Sequence, residues 1–166
     1  MKSKNTKKYI LCAVFGALAG AMQAAENFIF SPVPIPGGKP GLANIVTMTV
    51  LEIAGTGYAF AVAVLKSLVA MLATGSVTGF VYSVFGGVVS VLIMSLTKKT
   101  KRFSLVGIGI AGAVSNNVVQ CAVGSIIMQN VYVLSYIWVL GVVSVVFGIF
   151  TGLCTKYITE KGLIKI

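Results

Sequence analysis

Apolar residues run along this chain in long blocks, separated by short polar or glycine-bearing breaks. The blocks cover about 9–28, 41–54, 58–73, 77–96, 104–128 and 131–157. None shows the apolar–polar alternation of period two that marks a half-buried strand. The hydrocarbon core of a bilayer takes about 20 apolar residues of helix. Protein neighbours let a shorter run suffice where they cover its ends. The pattern therefore predicts six membrane-spanning helices in a single membrane domain over 1–166, the second of them short. Gly55-Thr56-Gly57 and Thr74-Gly75-Ser76 are the breaks on either side of the third. The fold class that follows is an all-α integral membrane protein.

Composition strengthens this reading. Of 166 residues, 57% are hydrophobic and 10% charged, and the mean hydropathy is +1.00. Soluble domains carry about 25% charged residues, so a water-soluble fold would lack polar surface. The formal net charge of +10 raises the question of nucleic acid. The placement of the cations argues against it. Eleven of the thirteen fall in three clusters: Lys2, Lys4, Lys7 and Lys8; Lys98, Lys99, Lys101 and Arg102; Lys156, Lys161 and Lys165. Each flanks an apolar block, as cytoplasmic segments do under the positive-inside rule. Anionic lipid heads attract such clusters as well. Six spans with both termini cytoplasmic place all three clusters inside, which five or seven spans do not. The loops at 29–40, 74–76 and about 129–131 then lie outside. The lysine-rich start and the small residues of "AMQAA" imitate a secretory signal. The apolar run between them is long and others follow it, so it reads as a retained first span.

Several chemistries are excluded by absence. The sequence has no histidine, and its three acids are Glu26, Glu52 and Glu160, so it has no aspartate. Histidine bases, histidine metal sites and aspartate-rich magnesium sites cannot be built from this chain. No GxxxxGK[ST] loop is present to cradle ATP phosphates. Cys12, Cys121 and Cys154 lie in apolar blocks without metal or disulfide spacing. We expect no cofactor, no metal and no catalysis. Binding and movement of a bound molecule remain, driven by a gradient or a partner.

Polar groups inside spans are costly and mark sites. Lys66 lies near the middle of the third block and Asn44 early in the second. Two readings stay open for Lys66: an ion pair with Glu52, or contact with an anionic or polar ligand. In "SNNVVQ", Asn116 and Gln120 are four apart and share a helix face, with Asn117 beside them. Unpaired amides are expensive in hydrocarbon, so this face turns inward, toward another helix or toward a ligand. Tyr82 is the expected aromatic member of a pocket. Tyr132, Tyr136 and Trp138 read as interfacial belt residues. In "PIPGGKPGLANIV", Lys39 stands among prolines that stiffen the loop and glycines that let backbone approach a ligand. It fits an entrance cation above the pocket, or a contact to outer headgroups. The candidate substrate-binding set is thus Lys39, Asn44, Lys66, Tyr82, Asn116, Asn117 and Gln120. Ala13, Ala17 and Ala21 form a flat small-residue face on the first helix. Such a face suits close helix packing in lipid, within the bundle or against another membrane protein.

The segments "PGGKPGLANIVTM", "VLKSLVAMLATGSVTGFVYSVFGGVVSVLIM" and "FSLVGIGIAGAVSNNVVQ" resemble the Gx transporter family, also labelled heptaprenyl diphosphate synthase component I. The resemblance covers most of 9–155. That family is similar to the substrate-binding S-components of energy-coupling-factor transporters, six-helix proteins of the bacterial plasma membrane. These capture a small molecule from outside and topple on a coupling transmembrane protein driven by two ATPase subunits. The resemblance maps the family's motif lysine and asparagine to Lys39 and Asn44. It matches Asn117 and Gln120, with Asn116 where the family usually has histidine and Lys66 where arginine is expected. It also implies that the face at Ala13, Ala17 and Ala21 docks on the coupling protein. The enzyme label implies a second role, an accessory membrane subunit of heptaprenyl diphosphate or isoprenoid-quinone synthesis. Prenyl-chain synthases hold diphosphates through magnesium on aspartates, which this chain lacks.

Overall fold

A computed structural model describes residues 2–30 and 41–162, with side chains over 6–29 and 41–162. Lys39 lies outside the described residues. Six helices follow in order: α1 (Lys2–Phe30), α2 (Ala43–Ile53), α3 (Thr56–Thr74), α4 (Val77–Lys99), α5 (Leu105–Ile127) and α6 (Ile137–Glu160). A 3-10 turn, Val131–Tyr136, leads into α6, so the last apolar block opens with a tight turn rather than as one continuous helix. Five of the helices are long and apolar enough to cross a membrane, and α2 is shorter. The protein is an all-α, multi-pass membrane protein.

Polar caps and left-handed residues set the breaks. Gly75, at φ 69°, ends α3, and its N–H bonds back to Met71 O at 2.7 Å. Ser76 then starts α4 by accepting from Gly79 N at 3.0 Å. Ser104 starts α5 in the same way through Gly107 N at 3.3 Å. These hydroxyls satisfy amides that a helix start leaves bare.

Small residues set how closely the helices approach. A Cβ on Gly148 would stand 2.5 Å from Ile110 Cα, and one on Gly152 would stand 2.4 Å from Val106 Cα. Backbone therefore meets backbone between α5 and α6. Gly16 and Gly20 bring α1 onto α3, where added Cβ atoms would meet Leu65 Cβ at 2.9 Å and Val69 Cβ at 2.4 Å. Ala13, Ala17 and Ala21 lie on another face of α1 and are exposed. The glycines thus pack internally, and the alanine face is left outward.

Helix α2 has 11 residues and spans about 16 Å at 1.5 Å per residue. That is roughly half the hydrocarbon thickness. Its unpaired end groups must be met inside the protein. At the start, Ala43 N donates to Glu26 Oε1 of α1 at 3.3 Å. At the end, Lys98 Nζ of α4 donates to Leu51 O at 3.2 Å and pairs with Glu52 Oε2 at 3.0 Å. Anion at the N-terminus and cation at the C-terminus match the helix dipole. Glu52 therefore pairs with Lys98 and not with Lys66. The C-terminal part of α4 runs past the end of α2 and brings Lys98 closer.

The contacts also gather the basic clusters at one end. Lys8 Nζ sits 5.7 Å from the ring centre of Tyr58 at the start of α3. Thr56 and Ser95 hydroxyls are 3.0 Å apart, joining the start of α3 to the end of α4. Thr49 of α2 meets Thr155 of α6 at 3.4 Å. Lys7, Lys8, Lys98 and Lys156 therefore share the end of the bundle that the positive-inside rule assigns to the cytoplasm.

Candidate functional site

At the opposite side of α2 from that basic end, polar side chains from five helices converge. Gln23 and Glu26 come from α1, Asn44 from α2, Lys66 from α3, Ser83 from α4, and Asn116 and Gln120 from α5. Each is buried. Lys66, 3% exposed, donates from Nζ to Asn44 Oδ1 at 2.7 Å. Glu26 lines the same cluster and is its carboxylate. A buried cation needs both a counter-charge and a hydrogen-bond acceptor, and here two helices supply them.

Local sequence explains each placement. Gly41, at φ 77°, takes a left-handed turn that L side chains avoid, and its carbonyl accepts from Asn44 N at 2.9 Å. A Cβ there would stand 2.9 Å from Asn44 Nδ2. The glycine before α2 thus leaves room for the amide that receives Lys66. Gly86 does the same for α5, since a Cβ would meet Asn116 Oδ1 at 2.7 Å and Gln120 Cγ at 2.9 Å. The methylene stem of Lys66 passes Gly87 at ordinary contact distance. One wall is a hydroxyl–amide chain: Ser67 and Ser83 Oγ are 2.6 Å apart, and Ser83 donates to Gln23 Oε1 at 2.9 Å.

The cluster encloses about 20 Å³, space for one water. Any larger occupant has to part the walls. Gln120 Oε1 is buried there without a hydrogen-bond partner. Such an acceptor is costly unless something donates to it. Among the described residues, no group of histidine, cysteine or acidic side chains could hold a metal.

Of the residues singled out from sequence, Asn44, Lys66, Asn116 and Gln120 are brought together. Asn117 and Tyr82 are not. Successive helical residues point about 100° apart, so Asn117 turns toward α6 and donates to Ser144 Oγ at 2.7 Å. Tyr82 is buried, yet its neighbour Ser83 faces the cluster. Sequence reasoning left Gln23 and Glu26 out. The signal was available: the two are three apart on α1, on one helical face.

A family model described as heptaprenyl diphosphate synthase component I matches residues 15–158. No curated protein and no solved structure matched the chain.

Proposed function

The chain belongs to the heptaprenyl diphosphate synthase component I family, and from its buried polar cluster we propose that it is the membrane-embedded substrate-binding component of a small-molecule uptake transporter. The observation that carries this reading is Lys66, held among carboxamides and a carboxylate on the outer side of α2. In an integral membrane protein such a group marks a path or a binding site. The proposed ligand is a small polar metabolite with an anionic group for Lys66 and a donor for Gln120 Oε1. Asn44 and Asn116 orient it. Lys39 completes the entrance in this reading. The protein would sit in a bacterial plasma membrane, capture its ligand from outside, and carry out no covalent chemistry.

Energy for release has to come from a partner. The exposed face at Ala13, Ala17 and Ala21 supports docking on a coupling transmembrane protein driven by an ATPase pair. A shallow groove of about 410 Å³ beside it, lined by Tyr9, Ala13, Tyr58 and Leu65 among others, gives that face relief. The wording of the family description keeps a second reading open, an accessory membrane subunit of isoprenoid synthesis.

Purification in mild detergent, with identification of bound subunits, separates the two. The transporter reading expects a coupling membrane protein with ATPases, lost when Ala17→Leu fills the flat face. A stable complex with a soluble, aspartate-rich prenyltransferase would overturn it.

A further inference from the structure

A second cavity lies away from the polar cluster, between α5 and the start of α6. It is a groove of about 340 Å³ whose lining includes Val118, Trp138, Gly141, Val142 and Val145. Its size is that of a small-molecule site. It opens sideways: Trp138 is 83% and Val142 70% exposed. Both helices are membrane-spanning by length and hydropathy, so the opening faces lipid.

The lining carries one feature that acyl chains cannot satisfy. Asn117 is 3% exposed and lines the groove. Ser144 Oγ donates to Leu140 O at 2.5 Å, so its oxygen can only accept from Asn117. The amide is thereby oriented: Nδ2 donates to Ser144, and Oδ1 is left over. That oxygen is buried without a partner. An unmet amide acceptor in apolar surroundings costs free energy that a donor would recover.

We propose that this groove is a lipid-side binding site for an amphiphile with one apolar chain and one hydroxyl donor, the hydroxyl bonding to Asn117 Oδ1 once the side chain turns that buried oxygen toward the groove. The chain would lie along the valines, and Trp138 would cover it. Lipids without a donor fill the volume but leave the oxygen unmet. The hydroxyl therefore sets selectivity, while the apolar surface supplies most of the affinity.

Trp138 is the one tryptophan in the sequence, so its fluorescence reports groove occupancy. Wild-type protein in phosphatidylcholine vesicles would be titrated with 11-bromoundecan-1-ol and, separately, with its methyl ether, 1-bromo-11-methoxyundecane. Quenching is plotted against bilayer-bound probe. The alcohol should reach half-quenching at about five-fold lower mole fraction, the ratio expected of one net hydrogen bond. Asn117→Leu should bring the alcohol to the ether's value. Gly141→Leu provides a second variant, because a Cβ at Gly141 meets nothing within 4 Å. It should fill the groove and also remove the preference. Equal quenching of the wild type by both probes would overturn the proposal. So would a preference for the alcohol that survives in either folded variant.

Discussion

The ammonium of Lys66 is held by Asn44 Oδ1 and shares its cluster with the carboxylate of Glu26, all inside the bundle. Removing one of two charges that share a buried cluster costs at most the about 3–5 kcal/mol of breaking a buried ion pair, because the other charge stays behind. Lys66→Met should therefore lower the melting temperature of the detergent-solubilised protein sharply. Adding Glu26→Gln should recover most of the loss, since both charges are then gone. A double variant as unstable as the single would show that the two charges are not coupled. This part of the site was half legible in the sequence. A lysine and paired amides inside apolar blocks announce themselves by cost. Glu26 did not, because it lies near the outer end of α1, where a carboxylate could equally meet water. What places it inside is α2, a helix too short to reach the surface that draws the carboxylate to its own first amide. Residue type also could not separate Asn116 from Asn117. Their roles diverge through one step of helical rotation.

Among the elements, the α5–α6 pair rests on backbone contact, and it gives a matched pair of substitutions. Gly148→Ala places a methyl 2.5 Å from Ile110 Cα, where nothing flexible can yield. We expect it to destabilise by about 1–3 kcal/mol, the usual range for overpacking. Gly141→Ala, on the same helix, meets open space and should be neutral, or stabilising by up to about 1 kcal/mol through helix propensity. Thermal melts of the two proteins check the contrast. The apolar blocks anticipated six helices, because run length in lipid leaves little else to form, but α1 begins seven residues before its block and α6 six residues after the start of its own. They did not anticipate the 3-10 turn before α6. Val131–Tyr136 is as apolar as the helix it precedes. The turn is set by Asn130, whose Oδ1 accepts from Tyr132 N at 2.9 Å, a local bond that hydropathy does not register.

At the scale of the whole molecule, the contacts and the charge pattern give one orientation. The positive-inside rule predicts that the end bearing Lys7, Lys8, Lys98 and Lys156 faces the cytoplasm, with the polar cluster on the outer side of α2. Single cysteines in a background lacking Cys12, Cys121 and Cys154 test this with an impermeant maleimide. Thr100→Cys and Lys161→Cys should react after the cytoplasmic face is exposed, and Met128→Cys on intact cells. The reverse pattern would invert the protein and would place its pocket toward the cytoplasm. In the proposed function the Lys66 cluster holds a small polar ligand. Native mass spectrometry of wild-type protein and the Lys66→Met/Glu26→Gln variant, each released gently from its own membrane, tests it most directly. A polar low-mass adduct is expected on the wild type and not on the folded variant. A wild type carrying no such adduct, or the same adduct on both proteins, would contradict it.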